Sequence, residues 1–485
     1  MISPLLTDLY QLTMAQGYFR AGRAADQAVF HLFFRKLPFA GGYALAAGLE
    51  PVLELVEKFH FQADDLAYLA TLQGSDGEPL FVADFLSYLQ ALRLRVDIDA
   101  VPEGTLVFGH EPLLRVRGSL IEAQLLETAL LNVINFQTLI ATKAARVCQA
   151  AKGDPVLEFG LRRAQGVDGA LAASRAAYIG GCAGTSNVLA GKLYGIPVRG
   201  THAHSWVMSF DSELEAFEAY ADALPNNCVF LVDTYDTLDG VRNAIQVGQR
   251  LRARGQRLLG IRLDSGDLAW LSIEARKLLD AAGFQDATIV ASNDLDERLI
   301  ESLKQQGATI SVWGVGTRLV TAYDQPALGG VYKLAMIGAQ DQPLAPRIKI
   351  SEQAAKISTP GVQQVRRFSR DGQLVADVIY DEQQPASLPM VLVDLLDPTR
   401  RRTLGPGLSH EDLLVPAVRS GQVVCARPTL ATVRARALAQ LGGLDATVRR
   451  FVHPHEYPVG LSQELHEQRT ALIQQARTKH GSNVP

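Results

Sequence analysis

An incomplete (β/α)8-type barrel, joined to an α+β domain formed by N-terminal and C-terminal segments, is the fold class this sequence predicts. Three observations point to it. Seven short apolar runs between residues 155 and 315 alternate with helical stretches, and that many parallel βα units suit a barrel better than an open sheet. Polar residues and glycines cluster just after these runs, where βα loops build active sites at the C-terminal face of a barrel. Outside this region the chain shows separated strands, proline-marked turns and helices without that alternation.

Residues 5–20 predict a helix opened by Thr7 or Asp8, with Leu9, Leu12 and Met14 facing inward and Tyr10 in the first turn. Ala28–Phe34 reads as a strand, followed by a glycine-bearing loop and by helices to residue 93. Residues 94–118 read as short strands turning at Pro102, Gly104, Gly109 and Pro112. Ile121–Ala151 holds a long helical pattern without glycine or proline, a bridge into the next domain. The barrel runs are Val156–Phe159, Ala177–Ile179, Pro197–Arg199, Cys228–Val232, Leu258–Ile261, Thr288–Ala291 and Thr309–Val312. Past Ala335 the rhythm weakens. Short strands between prolines fill 341–400, residues 427–482 are mostly helical, and the last five residues are expected to fray. The expected domains are therefore 1–150, 151–340 and a C-terminal lobe, 341–485, that returns to the first.

Composition narrows the function classes. Of 485 residues, 47% are hydrophobic and 20% charged, with a net charge of −4, the balance of a globular protein with a sizeable core. The acidic total argues against nucleic acid as a partner, although it leaves room for a local arginine cluster around a phosphate. Cys148, Cys182, Cys228 and Cys425 form no CxxC pair, so neither a disulfide framework nor a structural zinc site is expected. A reducing, cytoplasmic setting suits them. The N-terminus lacks a basic, apolar leader, and no segment is expected to span a membrane.

Chemistry concentrates at the run ends. Gly200-Thr201-His202-Ala203-His204-Ser205 brings hydroxyls and two imidazoles together; if this stretch is extended, both histidines share a face and spacing does not choose between them. Phe159 can stack on a planar ligand, while Arg162 or Arg163 can take a carboxylate or phosphate. The small residues of Gly184-Thr185-Ser186-Asn187 let backbone approach an anion. Asp233 can orient a histidine, with helix capping the ordinary role for its neighbours Asp236 and Thr237. Arg262 can neutralise a substrate carboxylate, and Asp264 can stabilise positive charge on a sugar ring. Ser292-Asn293-Asp294 and Gly314-Val315-Gly316-Thr317 close late runs, where barrels often hold phosphate.

Six stretches then fall into one pattern. Thr7-Asp8-Leu9-Tyr10-Gln11, Glu158-Phe159-Gly160-Leu161-Arg162-Arg163-Ala164-Gln165-Gly166, Gly184-Thr185-Ser186-Asn187, Gly200-Thr201-x-Ala203-His204-Ser205, Arg262-Leu263-Asp264-Ser265-Gly266-Asp267 and Gly314-Val315-Gly316-Thr317 together closely resemble the nicotinate phosphoribosyltransferase family, in the family's order. Tyr457-Pro458-Val459 is similar to its closing segment.

The resemblance implies that nicotinate attacks C1 of 5-phosphoribosyl 1-diphosphate, forming nicotinate mononucleotide and diphosphate, with ATP as co-substrate through a phosphorylated histidine. It assigns that role to His204, leaving His202 at the variable position. It implies Tyr10, Phe159, Ser186, Thr201 and Arg262 as nicotinate-binding residues, Tyr10 coming from the other subunit of a homodimer. Arg162, Ser292, Asn293, Gly314, Gly316 and Thr317 would hold the sugar donor, and Asp233 and Asp264 would act beside His204. Mg2+ would ride on substrate oxygens, with no protein metal ligands assigned. The related nicotinamide enzyme carries aspartate where Ser186 stands, so Ser186 favours the acid over the amide. A quinolinate-type transferase, which needs further basic residues and releases CO2, and a non-catalytic binding protein are the two rival expectations.

Overall fold

The computed structural model describes residues 3–353 and 356–481. Two compact units result. One holds Leu139–Pro326 with Leu430–Arg434; the other gathers the chain up to Thr138, Ala327–Thr429 and the residues from Ala435 onward.

In the first of these, short aliphatic runs flanked by helices become six strands: β1 (Val156–Glu158), β2 (Gly184–Thr185), β3 (Val229–Leu231), β4 (Gly260–Leu263), β5 (Thr288–Ala291) and β6 (Val312–Val315). They form one parallel sheet in the order β2-β1-β6-β5-β4-β3, so the last strand lies beside the first. Ile261, Leu263, Phe230 and Trp313 are almost wholly buried, the two-sided burial that parallel strands require.

Three runs differ from expectation. Ala177–Ile179 ends the helix Val167–Ile179, because its alanine-rich run has high helix propensity and its apolar side is buried along helical spacing. The strand comes later, at Gly184–Thr185. Pro197–Arg199 contributes only an isolated bridge, Val198 to Thr185. The last strand is Val312–Val315, which puts Gly314 inside the sheet, not in the loop beyond it.

The long helical pattern divides into Leu120–Leu125 and Glu127–Ala150. This stretch corrects the expectation that nothing approaches a membrane span: by length and hydropathy it qualifies, but 61% of its most apolar window is buried in the protein, as in a core helix. Its later half carries Lys143, whose Nζ lies 2.6 Å from both Glu297 Oε2 and Asp324 Oδ2, and Arg146, whose Nε lies 2.8 Å from Glu297 Oε1. Two cations offset the cost of burying the Glu297 carboxylate.

In the other unit, Gln27–Phe34 is buried along nearly its whole length and pairs antiparallel with both Leu114–Ser119 and Gly330–Gly338 in a seven-stranded sheet. A second, six-stranded sheet packs Phe368, Val378 and Leu392 into a core. Here the closing segment finds its use: the Tyr457 hydroxyl donates to Asp377 Oδ1 at 2.9 Å, beside the buried Arg367–Asp377 pair. The helix Leu9–Arg20 buries Gln11, Leu12 and Ala15, whereas Leu9 and Met14, expected inside, are exposed. Asp8 stands at its N-cap position but spends its carboxylate on the Thr128 hydroxyl at 2.9 Å. The fraying expectation falls on residues 482–485, outside those described, and on Gly481.

Candidate active site

The ends of β1 to β4 and the segment 200–204 enclose a cavity of about 280 Å3, lined by Phe159, Leu161, Arg162, Ser186, Thr201, His202, His204, Leu231, Arg262 and Asp264, with backbone from Gly200 and Ala203. Apolar and polar walls meet at Arg262. Its position on β4 points the side chain across the strand ends, where Nε donates to Ser292 Oγ at 2.9 Å, Nη1 to Thr201 Oγ1 at 3.0 Å and Nη2 to Asp264 Oδ1 at 3.0 Å. A guanidinium has five N–H groups, so one remains on each terminal nitrogen for a ligand. The guanidinium also lies 5.8 Å from the centre of the Phe159 ring, within cation–π range. Behind that ring is Gly314, where an added Cβ would come within 2.7 Å of Phe159. Glycine at this strand position therefore fixes the ring's depth.

Asp264 is tightly held. The Ser292 hydroxyl meets its Oδ1, and its own backbone N–H donates to Asp233 Oδ2 at 2.8 Å. Burial opposes ionisation of Asp264, but the Ser292 hydroxyl and the Arg262 guanidinium outweigh it and hold the carboxyl below the usual carboxylate range. Asp233 Oδ2 also accepts the Ser265 hydroxyl at 2.6 Å, while its buried Oδ1 has no hydrogen-bond partner. That oxygen lies 4.0 Å from His204 Nε2, and Asp264 Oδ2 lies 3.8 Å from the same nitrogen.

The two histidines part company because the segment is not a strand. His204 opens the short helix His204–Met208, half exposed at the cavity, with Nδ1 3.1 Å from Thr234 Oγ1. The orienting bond expected from Asp233 is thus made by Thr234; the carboxylates face the other ring nitrogen. Thr234 carries no distinguishing sequence signal beyond its place next to Asp233 at a strand end. His202 instead turns inward among Phe217, Tyr220 and Phe230, its Nε2 accepting from the Leu231 N–H at 3.2 Å. Burial pushes its imidazole down to about 4, against the pull of the Ala203 carbonyl.

This buried, neutral histidine has a stability consequence. Between pH 6.5 and about 4 the unfolded chain binds a proton at His202 that the fold refuses, so stability is complete above that window and falls as pH drops through it. The expected slope from this residue is about 1.4 kcal/mol per pH unit. A His202→Gln protein should show a shallower fall of Tm across the window; an identical slope would refute the assignment.

Other expected residues fall into place differently. Ser292, expected at the sugar donor, is 4% exposed, and its hydroxyl accepts from Arg262 Nε and meets Asp264 Oδ1. Asn293 and Asp294 follow it, exposed, with left-handed φ of 94° and 43°, a backbone reversal that non-glycine residues adopt at a cost. Gly316 and Thr317 are half-buried just beyond β6. Asp236 caps the helix Thr237–Ala253, accepting from the Asp239 N–H at 2.9 Å. Tyr10 lies in the other unit and is 49% exposed.

The chain is similar to known proteins along most of its length. Three family models match: the nicotinate phosphoribosyltransferase N-terminal domain over residues 5–135, the nicotinate phosphoribosyltransferase family over 155–357 and its C-terminal domain over 363–469. The chain is 44% identical to nicotinate phosphoribosyltransferase of Bacillus subtilis, covering 98% of this chain and 96% of that one. It is 38% identical to the Homo sapiens protein of that name, with 95% of each covered. The crystal structure of human nicotinic acid phosphoribosyltransferase superposes with a TM-score of 0.83 at 35% identity, over 96% of this chain and 99% of that one. A nicotinate-nucleotide pyrophosphorylase from Pyrococcus furiosus shares the fold, with a TM-score of 0.69 at 22% identity over 90% of this chain and 94% of that one.

Proposed function

The chain belongs to the nicotinate phosphoribosyltransferase family, and we propose that its cavity seats nicotinate flat against Phe159 with the carboxylate on Arg262 and Thr201. The reaction joins nicotinate to 5-phosphoribosyl 1-diphosphate, giving nicotinate mononucleotide and diphosphate in the salvage of nicotinate for NAD. The observation that carries the proposed pose is the Arg262 knot: one guanidinium tied to Thr201, Ser292 and Asp264, with an N–H left on each terminal nitrogen beside an aromatic ring. The sheet order, with β6 against β1, supports reading the parallel sheet as an incomplete barrel.

In this reading the pyridine nitrogen attacks C1 of the sugar as diphosphate departs. Positive charge grows on the ring, and Asp264, held ionised by its neighbours, offsets it. Arg162, Asn293 and the end of β6 with the following Gly316 and Thr317 take the phosphate-bearing parts of the donor. Among the described residues no group of three or more His, Cys, Asp or Glu side chains is arranged to hold a metal. Mg2+ fits here as an ion carried on the diphosphate, supplying charge neutralisation.

ATP enters through His204. A phosphoryl group on Nε2 would face two carboxylates, whereas one on Nδ1 displaces only the Thr234 hydroxyl and leaves an Nε2 proton toward Asp233 and Asp264. Nδ1 is therefore the proposed acceptor. Exposed apolar residues on the helix of Tyr10, among them Leu9 and Met14, support a homodimer in which that tyrosine reaches a second copy's site. The free thiols suit the cytoplasm.

The test is mononucleotide formation from labelled nicotinate or nicotinamide with 5-phosphoribosyl 1-diphosphate and magnesium, with and without ATP. ATP-stimulated use of nicotinate is expected; preference for nicotinamide would overturn the pose. Ser186→Asp, which sets a carboxylate on the wall, should shift relative kcat/KM toward nicotinamide by roughly ten- to a hundredfold through repulsion of the acid and acceptance from the amide. An unchanged ratio would remove Ser186 from the specificity wall.

A further inference from the structure

Glu158 ends β1 one residue before Phe159, and it is 1% exposed. A carboxylate so buried is costly unless donors surround it. Its Oε1 accepts from the Gly160 N–H, and its Oε2 accepts the hydroxyls of Thr185 at 2.6 Å and Ser174 at 2.8 Å. Thr185 Oγ1 in turn accepts from the Asn187 backbone N–H at 3.0 Å, and Asn187 Nδ2 donates to Ser174 Oγ at 3.2 Å, closing a ring of four residues. Ser186 sits inside this ring in sequence, between Thr185 and Asn187, and its backbone N–H donates to the Glu158 carbonyl at 2.9 Å. Both strand ends that form the slot are thereby clamped through one acid: Phe159 follows Glu158, and Ser186 follows Thr185, and both line the cavity.

We propose that Glu158 is a positioning residue for pyridine recognition, its bond to Thr185 setting the spacing between the Phe159 ring and Ser186. The proposal rests on the reading of those two residues as the nicotinate wall. Only an acceptor able to take all three donors holds the clamp. Glu158→Gln keeps the side chain's size but replaces one acceptor oxygen with a donor group. Thr185→Val keeps the shape of threonine and removes the hydroxyl from the opposite end, while Thr185→Ser retains it.

The experiment measures KM for nicotinate and for 5-phosphoribosyl 1-diphosphate separately, with kcat and Tm, in Glu158→Gln, Thr185→Val, their double variant, Thr185→Ser and Phe159→Ala. Loss of a hydrogen bond to a charged group predicts a rise of about tenfold in the nicotinate KM for Glu158→Gln and for Thr185→Val. The donor KM should stay within about twofold, Thr185→Ser should restore nicotinate KM, and the double variant should cost less than the two single effects combined, because both act on one clamp. A merely structural role would lower Tm and raise both KM values together, and that result overturns the proposal, as does an unchanged nicotinate KM in Thr185→Val. If Glu158→Gln does not fold, the Thr185 pair decides alone. Phe159→Ala separates the layers: if it leaves the nicotinate KM unchanged, the wall reading fails and takes this proposal with it. If it raises that KM while Glu158→Gln and Thr185→Val do not, the clamp alone is wrong.

Discussion

His204→Ala is expected to abolish the stimulation of nicotinate turnover by ATP, and with it the release of phosphate from ATP, while a basal, ATP-independent transfer persists. The reason lies in what surrounds the ring. In the proposed pose nicotinate and the sugar donor react without the imidazole, since Asp264 would oppose the charge at C1 and Arg262 would match the pyridine carboxylate. ATP, by contrast, has only His204 as the proposed acceptor at this cavity. A coupling typical of linked sites, about 5- to 150-fold, is what the substitution should erase. His204→Asn sharpens the test, because an amide can still pair with the Thr234 hydroxyl but cannot carry a stable phosphoryl group. Both variants should show an ATP response ratio near one. ATP stimulation retained in either would remove the phosphohistidine from the mechanism.

Much of this site could be read from residue types at strand ends, because the chemistry demands them there. Arg262 on β4 and Asp264, the first residue beyond that strand, stand two positions apart, and the structure ties them together through the bond from Arg262 Nη2 to Asp264 Oδ1. Phe159 and Ser186 follow the ends of two neighbouring strands. What the sequence did not reveal depends on which partner a polar atom chooses in three dimensions. Ser292 carries no sequence sign that its hydroxyl lies between Arg262 and Asp264. His202 and His204 are two residues apart, and alternation would have placed them together; the irregular backbone before the helix at His204 separates them, one into an aromatic core and one toward two acids. The run Ala177–Ile179 takes a helix where a strand is expected for a related reason: three residues are too few to show a period, and this run closes the helix Val167–Ile179. Glu158 was visible as part of a motif, but its ring with Thr185, Ser174 and Asn187 joins residues up to 29 positions apart and leaves no local trace.

The other large effect is expected at Arg262. Removing its side chain in Arg262→Ala takes away the cation for nicotinate's carboxylate and unties Thr201, Ser292 and Asp264 at once, so kcat/KM for nicotinate should fall by roughly a hundred- to a thousandfold, the range for breaking a desolvated charge pair. Arg262→Lys keeps the charge, but an ammonium cannot reach three partners while offering a fork to the substrate, so it should rescue only a small part of the loss. The pH profile gives an independent reading. Arg262, with the Ser292 hydroxyl, holds the Asp264 carboxyl below its ordinary range against burial; removing Arg262 shifts that balance toward burial, so the carboxyl titrates at higher pH. The acid limb of kcat/KM should therefore move upward in Arg262→Ala, because Asp264 is useful only when ionised. Nicotinamide, which has no carboxylate to lose, should suffer far less, so the ratio of the two substrates' kcat/KM should collapse. If both substrates lost activity equally and the acid limb stayed in place, Arg262 would be a brace for the strand ends and not the residue that reads the acid.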